Sequence, residues 1–139
     1  MSAAEFSNVD GAEVPQKDFS REIIGAAVEV QRVLGTGLLE SAYMAAFAIE
    51  LAERELGFAQ EVPIPGSYKG QALGTAFRAD FVVEQSVIVQ VKSIEATTDQ
   101  DRAQLLSCLR LSGLKLGLLI NFHVFPVVKG VHRMENNQK

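Results

Sequence analysis

The chain reads as a single α/β domain: a mixed sheet of four or five strands flanked by helices, preceded by an N-terminal helical hairpin. Three observations predict this. Two helical stretches in succession are separated by Gly35-Thr36-Gly37. Three strand-like runs then follow one another between residues 58 and 92. A helical segment separates these from a short, almost wholly apolar run at Leu116–Ile120. With 139 residues the chain suits one domain.

Residues 1–18 are small, polar and acidic with Pro15, and are expected to be a disordered lead-in; the domain is expected over 19–134, with a tail at 135–139. From Phe19 a helical period begins, with Ile23, Ile24, Ala27 and Val28, widened by Val30, Val33 and Leu34. The Gly-Thr-Gly break ends it. A second helix is expected from about Leu38 to Leu56, carrying Leu39, Tyr43, Ala46, Phe47, Ile49 and Leu51, with Gly57 as terminator. Pro63 and Pro65 confine Phe58–Ile64 to an edge strand. Tyr68-Lys69-Gly70-Gln71 forms a turn, and Ala72–Glu84 a strand that can bend at Gly74. Val87–Lys92 is rich in β-branched residues, as a buried strand requires. Thr97-Thr98-Asp99-Gln100 has capping-box spacing, with Thr97 and Gln100 as its reciprocal pair, and opens a helix running to about Leu111. Leu116–Ile120 suits a buried parallel strand, and Val124–Met134 a last strand broken at Pro126. A three-stranded meander, a crossover helix and a fourth strand beside the sheet centre describe a restriction-endonuclease-like core.

Charge is unevenly spread around a net −4. Residues 19–101 carry six basic and twelve acidic residues, whereas 102–139 carry six basic (Arg102, Arg110, Lys115, Lys129, Arg133, Lys139) against Glu135 alone. A basic last third beside an acidic centre suits a phosphate backbone passing over a metal site, although scattered solubilising charge gives the same count. Cys108 is the single cysteine, so neither an intrachain disulfide nor a multi-cysteine zinc site is expected. No uncharged apolar run approaches the ~20 residues that span a bilayer. The first residues lack the basic and apolar regions of a secretory signal, and a cytoplasmic location is expected.

The chemistry concentrates in Phe77–Val83 and Val87–Lys92. Asp80 interrupts the first apolar strand, and Gln90 and Lys92 lie on one face of the second because side chains repeat every second residue. An unpaired buried carboxylate is costly, so Asp80 needs a cation, whether Lys92 or a metal. Glu40 falls in the first turn of the second helix, where the dipole favours a carboxylate for structural reasons alone. Gln104 sits on the crossover helix near Arg102, where a solvated glutamine is the plain alternative. His123 and His132 have no helical ligand spacing, and Ser41, Ser107 and Cys108 have no nucleophile motif around them. Neither a Walker-type loop nor a GxGxxG is present.

Gly37-Leu38-Leu39-Glu40-Ser41-Ala42-Tyr43 resembles the signature of the GxxExxY proteins, a bacterial and archaeal group within the PD-(D/E)xK nuclease superfamily. Further blocks carry the likeness in the same order: Ile24–Val30, Arg78-Ala79-Asp80, Val87–Lys92, Gln104-Leu105-Leu106 and Gly113–Phe122. The resemblance implies a Mg²⁺ (or Mn²⁺) site made by Glu40, Asp80, Gln90 and the Val91 carbonyl. Lys92 would stand beside the attacking water, and Gln104 would correspond to the glutamine of a Q-x-x-x-Y helix motif. It also implies a nucleic-acid partner, DNA in preference to RNA; separately, the apolar Leu116–Ile120 region and the long helical hairpin leave room for a homodimer, and no membrane partner is expected. Three positions depart from the pattern. Gln31 stands where the family usually has histidine, Gln90 where it has glutamate, and Cys108 where the helix motif has tyrosine. Two readings therefore stand: a metal-dependent nuclease, and a catalytically impaired relative that binds nucleic acid or a protein partner.

Overall fold

A computed structural model describes residues 18–136. Helix α1 (Ser20–Leu34) and helix α2 (Glu40–Glu53) form the opening hairpin. Ile23, Ala26, Ala27 and Val30 make the buried stripe of α1, and Tyr43, Phe47 and Leu51, spaced by four, that of α2. The chain reverses between them through Gly35 and Gly37, with φ of 73° and 96°, a region that side chains with a Cβ avoid. The second helix starts and ends inside the expected Leu38–Leu56 span, because Leu39 is already extended.

Five strands follow: β1 (Phe58–Tyr68), β2 (Gln71–Val83), β3 (Val87–Lys92), β4 (Leu116–Asn121) and β5 (Val131–Glu135), in that order across one sheet. The β1–β2, β2–β3 and β4–β5 pairs are antiparallel, and β3–β4 is parallel. Helix α3 (Asp99–Ser112) makes the crossover between the parallel strands. Strand β1 is indeed an edge, but it continues past both prolines to Tyr68. On an outer strand a missing N–H can face solvent, and the irregular register at Ile64/Pro65 and Gly66/Ser67 absorbs the rest. The last segment begins with a 3₁₀ turn (Val127–Gly130) and only then becomes β5.

The helices cover both faces. Ile23, Val30, Tyr43 and Phe47 pack on Phe81, Val87, Val89, Val91, Leu118 and Ile120. On the other face Leu105, Cys108 and Leu109 of α3 pack on Ile64, Ala79, Ile88 and Leu119. In the β1–β2 hairpin the two cores meet within single strands. Phe58 and Phe81 join the first core, whereas Val62, Ile64, Phe77 and Ala79 join the second. Strict alternation would keep Phe81 and Ala79 on one face. The reversal falls at Asp80 and at Glu61 between Gln60 and Val62, where Glu61 adopts a φ of 53°. The hairpin thus rotates at the acid that sequence reasoning singled out.

Candidate metal centre

The β2–β3 ladder holds Phe81↔Val89, Val82↔Ile88 and Val83↔Val87, and then stops although β3 runs on to Lys92. Side chains close the next position. The Asp80 N–H donates to Gln90 Oε1 at 2.7 Å, and the Val91 N–H donates to Asp80 Oδ2 at 2.8 Å. Because N–H and C=O of one strand residue point to the same side, the Val91 carbonyl also faces β2, beyond its last ladder pair. Asp80, Gln90 and the Val91 backbone therefore meet where the two strands part. Burial pushes the Asp80 carboxyl above the usual carboxylate range. The bond from Val91 opposes this, the charges of Glu40 and Glu61 add to it, and Lys92 draws it back down.

Glu40 reaches this region from the other side of the loop after α1. It is exposed and is the first residue of α2. Two anchors set the loop before it. The Tyr43 hydroxyl donates to Gly35 O at 2.6 Å and accepts from the Leu38 N–H at 3.3 Å, and its ring stacks on Phe122 at 4.8 Å. Ser93, just past β3, donates to Leu38 O at 2.9 Å. Gly37 turns the chain, Tyr43 pins the turn, and Ser93 ties Leu38, two residues before Glu40, to the end of β3.

Lys92 shares the face of Ile88 and Gln90, toward α3, and its ammonium lies 4.0 Å from Asp101 Oδ1. Asp101 was not among the residues expected in the site. It belongs to the true capping box, which is Thr98–Asp101 rather than Thr97–Gln100: Thr98 Oγ1 accepts from the Asp101 N–H, and Asp101 Oδ2 accepts from the Thr98 N–H. Thr97 is engaged elsewhere, with His132 at 3.0 Å and Arg102 at 3.2 Å. The D-Q-D run offered an acid at the right offset from Thr98. Gln104 is exposed, one turn further along α3, in a groove with Ala76, Phe77, Gln100, Ala103 and Ser107. No hydrogen bond joins it to Asp80, Gln90 or Lys92.

The other two departures are accounted for by packing. Gln31 is buried and uses its whole amide: Nε2 donates to Phe122 O (3.0 Å) and Val124 O (2.7 Å), and Oε1 accepts from the Val127 N–H (2.8 Å). Cys108 is a buried apolar contact, its thiol pushed up to about 11 by burial. Asn121 was also overlooked; it clamps Ile94 through both backbone groups and so fixes the chain leaving β3. Of the basic last third, Arg102 pairs with Asp99, and Arg133 with Asp18 and Glu135, so these two are engaged with acids.

Among the described residues no three His, Cys, Asp or Glu side chains form a metal-holding cluster. The donor set still suits a hard cation. It brings together the Asp80 carboxylate, lifted by burial, the Gln90 amide oxygen and the Val91 backbone, while Glu40 acts on Asp80 through its charge. Among the described residues no helix is long and apolar enough to cross a membrane.

A five-stranded mixed sheet between helices, with an acid and a lysine where its second and third strands part, defines a restriction-endonuclease-like domain. The family profile of the PD-(D/E)XK nuclease superfamily matches residues 17–134, and the chain belongs to that superfamily. No curated protein and no solved structure matches it.

Proposed function

We propose that this protein is a divalent-metal-dependent nuclease of the GxxExxY group that hydrolyses phosphodiester bonds, in DNA in preference to RNA. The observation that supports it best is the junction of Asp80, Gln90 and Val91 at the strand divergence, with the charges of Glu40 and Lys92 acting on the Asp80 carboxyl. Asp80 and Glu40 would hold Mg²⁺ or Mn²⁺ through carboxylate oxygens, and Gln90 Oε1 and the Val91 carbonyl would complete the set as neutral ligands. When bound, the cation supplies Lewis-acid polarisation of a phosphodiester oxygen and a lower pKa for the attacking water. Lys92 donates to the non-bridging oxygen on which charge develops, and Glu40, the more exposed acid, orients the water. Gln104 lines the groove along which a strand of nucleic acid would pass. Of the basic last third, Lys129, in the turn that follows the Asn121 end of β4 beside Lys92, would supply a phosphate contact, whereas Arg102 and Arg133 are engaged with acids. Affinity should then decline steeply with salt. The unit that does this is the single domain over 19–134, working in the cytoplasm, with a homodimer open to it.

The test is cleavage of single- and double-stranded DNA and RNA in Mg²⁺ and in Mn²⁺, with Asp80→Ala as control. Metal-dependent cutting abolished by the substitution supports the proposal, and cutting that survives it refutes the site. One observation favours a second reading. Gln90 Oε1 already accepts the Asp80 N–H, so the site is closed by its own hydrogen bond. Salt-sensitive binding of nucleic acid without any cleavage would establish that reading, a binding module on a nuclease fold.

A further inference from the structure

We infer that Asp101 is a positioning residue: it holds the Lys92 ammonium on the α3 side and so leaves the Asp80 carboxylate open to a divalent cation. This rests on the metal-centre reading above and deepens it. Lysine carries a point charge on a flexible four-carbon stem, and its ammonium moves to whatever anion lies within reach. Here such an anion is near at hand: the Asp80 carboxylate accepts at 2.8 Å from the N–H of Val91, the residue next to Lys92. A lysine folded onto Asp80 would neutralise the carboxylate on which the metal depends. Asp101 offers a competing anion with a fixed orientation. Its Oδ2 is held by the Thr98 N–H at 2.9 Å and its own N–H by Thr98 Oγ1 at 3.1 Å, which leaves Oδ1 facing Lys92 at 4.0 Å. Both side chains are largely covered, at 28% and 16% exposure, so solvent screens the pair less than it would a surface pair. Helix α3 starts from a cap whose acid does two jobs, satisfying the helix end and parking the lysine. A box closed by glutamine at the same offset would serve the helix alone.

The experiment is a double-mutant cycle on Mn²⁺ affinity in the full chain, using Asp101→Asn and Lys92→Met. Asparagine keeps a carbonyl for the Thr98 N–H and loses only the charge. The expected result is an Mn²⁺ Kd raised about three- to tenfold by Asp101→Asn and returned near the wild-type value when Lys92→Met is added. Lys92→Met alone should change the Kd much less than it does in the Asp101→Asn background. A merely structural cap, or an acid acting only as a general negative field, gives additive effects, and additivity overturns the inference. A crystal structure of Asp101→Asn without metal gives a readout that does not depend on the metal reading: Lys92 Nζ should come within ion-pair distance of Asp80. A lysine that stays on the α3 side overturns the positioning role. Absence of Mn²⁺ binding in the wild type, with the lysine nevertheless moving, overturns the metal centre alone. Asp101→Gln, which also satisfies a capping box, carries the same tests if the asparagine variant does not fold.

Discussion

Replacing Gln90 by glutamate tests the centre most directly, because it changes charge and almost nothing else. The new carboxylate can still accept the Asp80 N–H that Gln90 Oε1 accepts at 2.7 Å, so the closure of the strands survives. What it adds is a negative charge beside Asp80, on the neighbouring strand and already in contact with the Asp80 backbone. Facing side chains on neighbouring strands have Cβ atoms about 5 Å apart. Two unit charges at that spacing repel by about 3 kcal/mol at an effective dielectric constant of about 20. Both residues are half-buried, so solvent takes part of this away and about 1–2 kcal/mol remains. Without metal, Gln90→Glu should therefore melt lower than the wild type, by roughly 3–8 °C for a domain of this size. With a divalent cation the sign reverses. The extra charge tightens binding, and at a hundredfold excess over Kd the bound ion returns about 2.7 kcal/mol to the folded state. Thermal melts with and without Mg²⁺ or Mn²⁺, together with cleavage of labelled DNA and RNA, measure both halves. A variant that is less stable, gains nothing from either ion and cuts no substrate would refute the metal centre.

Asp80→Asn should make the metal-free protein more stable at pH 7. The folded-state pKa of Asp80 lies above 3.8, so its ionised form costs stability at neutral pH, and that loss is recovered as pH falls through the raised value. The advantage of the variant should accordingly shrink toward pH 4, and only the wild type should be stabilised by Mn²⁺; melts at the two pH values check both. Gln31→Leu strands two carbonyls and one N–H in a buried setting, a loss of about 3 kcal/mol and roughly 10 °C in Tm, read by calorimetry. Tyr43→Phe keeps the stack on Phe122 but releases Gly35 and Leu38. It should cost about 1–2 kcal/mol in denaturant melts and weaken Mn²⁺ binding by loosening the loop that carries Glu40.

Local chemistry decided how much of this could be read from the chain. The bounds of β3 were legible because Val87, Ile88, Val89 and Val91 are buried and the polar residues fall only where the strand meets the site. The helical hairpin was legible from its glycines. The run of β1 past Pro65 was not, because an edge strand suspends the rule that prolines end strands. Two threonines in tandem, each with a plausible partner three residues on, left the cap ambiguous by one position. The outcome turned on His132, thirty-five residues away from Thr97. Non-local partners hid the rest. Gln31 bonds to residues more than ninety positions distant, and Asp101 meets Lys92 only because α3 folds back over the sheet. Strand alternation singled out Asp80, Gln90 and Lys92, whereas the roles proposed for them and for Glu40, Val91 and Gln104 rest on family likeness, and the fold supplies their neighbours.

The point where β2 and β3 part has a consequence for how this sheet breathes. In an ordinary ladder an amide exchanges its hydrogen when two strands separate, an event that involves the backbone of both. The Asp80 and Val91 amides are instead held by the side chains of Gln90 and Asp80, so a change of rotamer suffices to uncover them. A ligand that turns those two acceptor oxygens toward itself loosens their hold on the amides in the same motion. Their exchange rates would then record occupancy of the site, in a protein whose surrounding strands stay zipped.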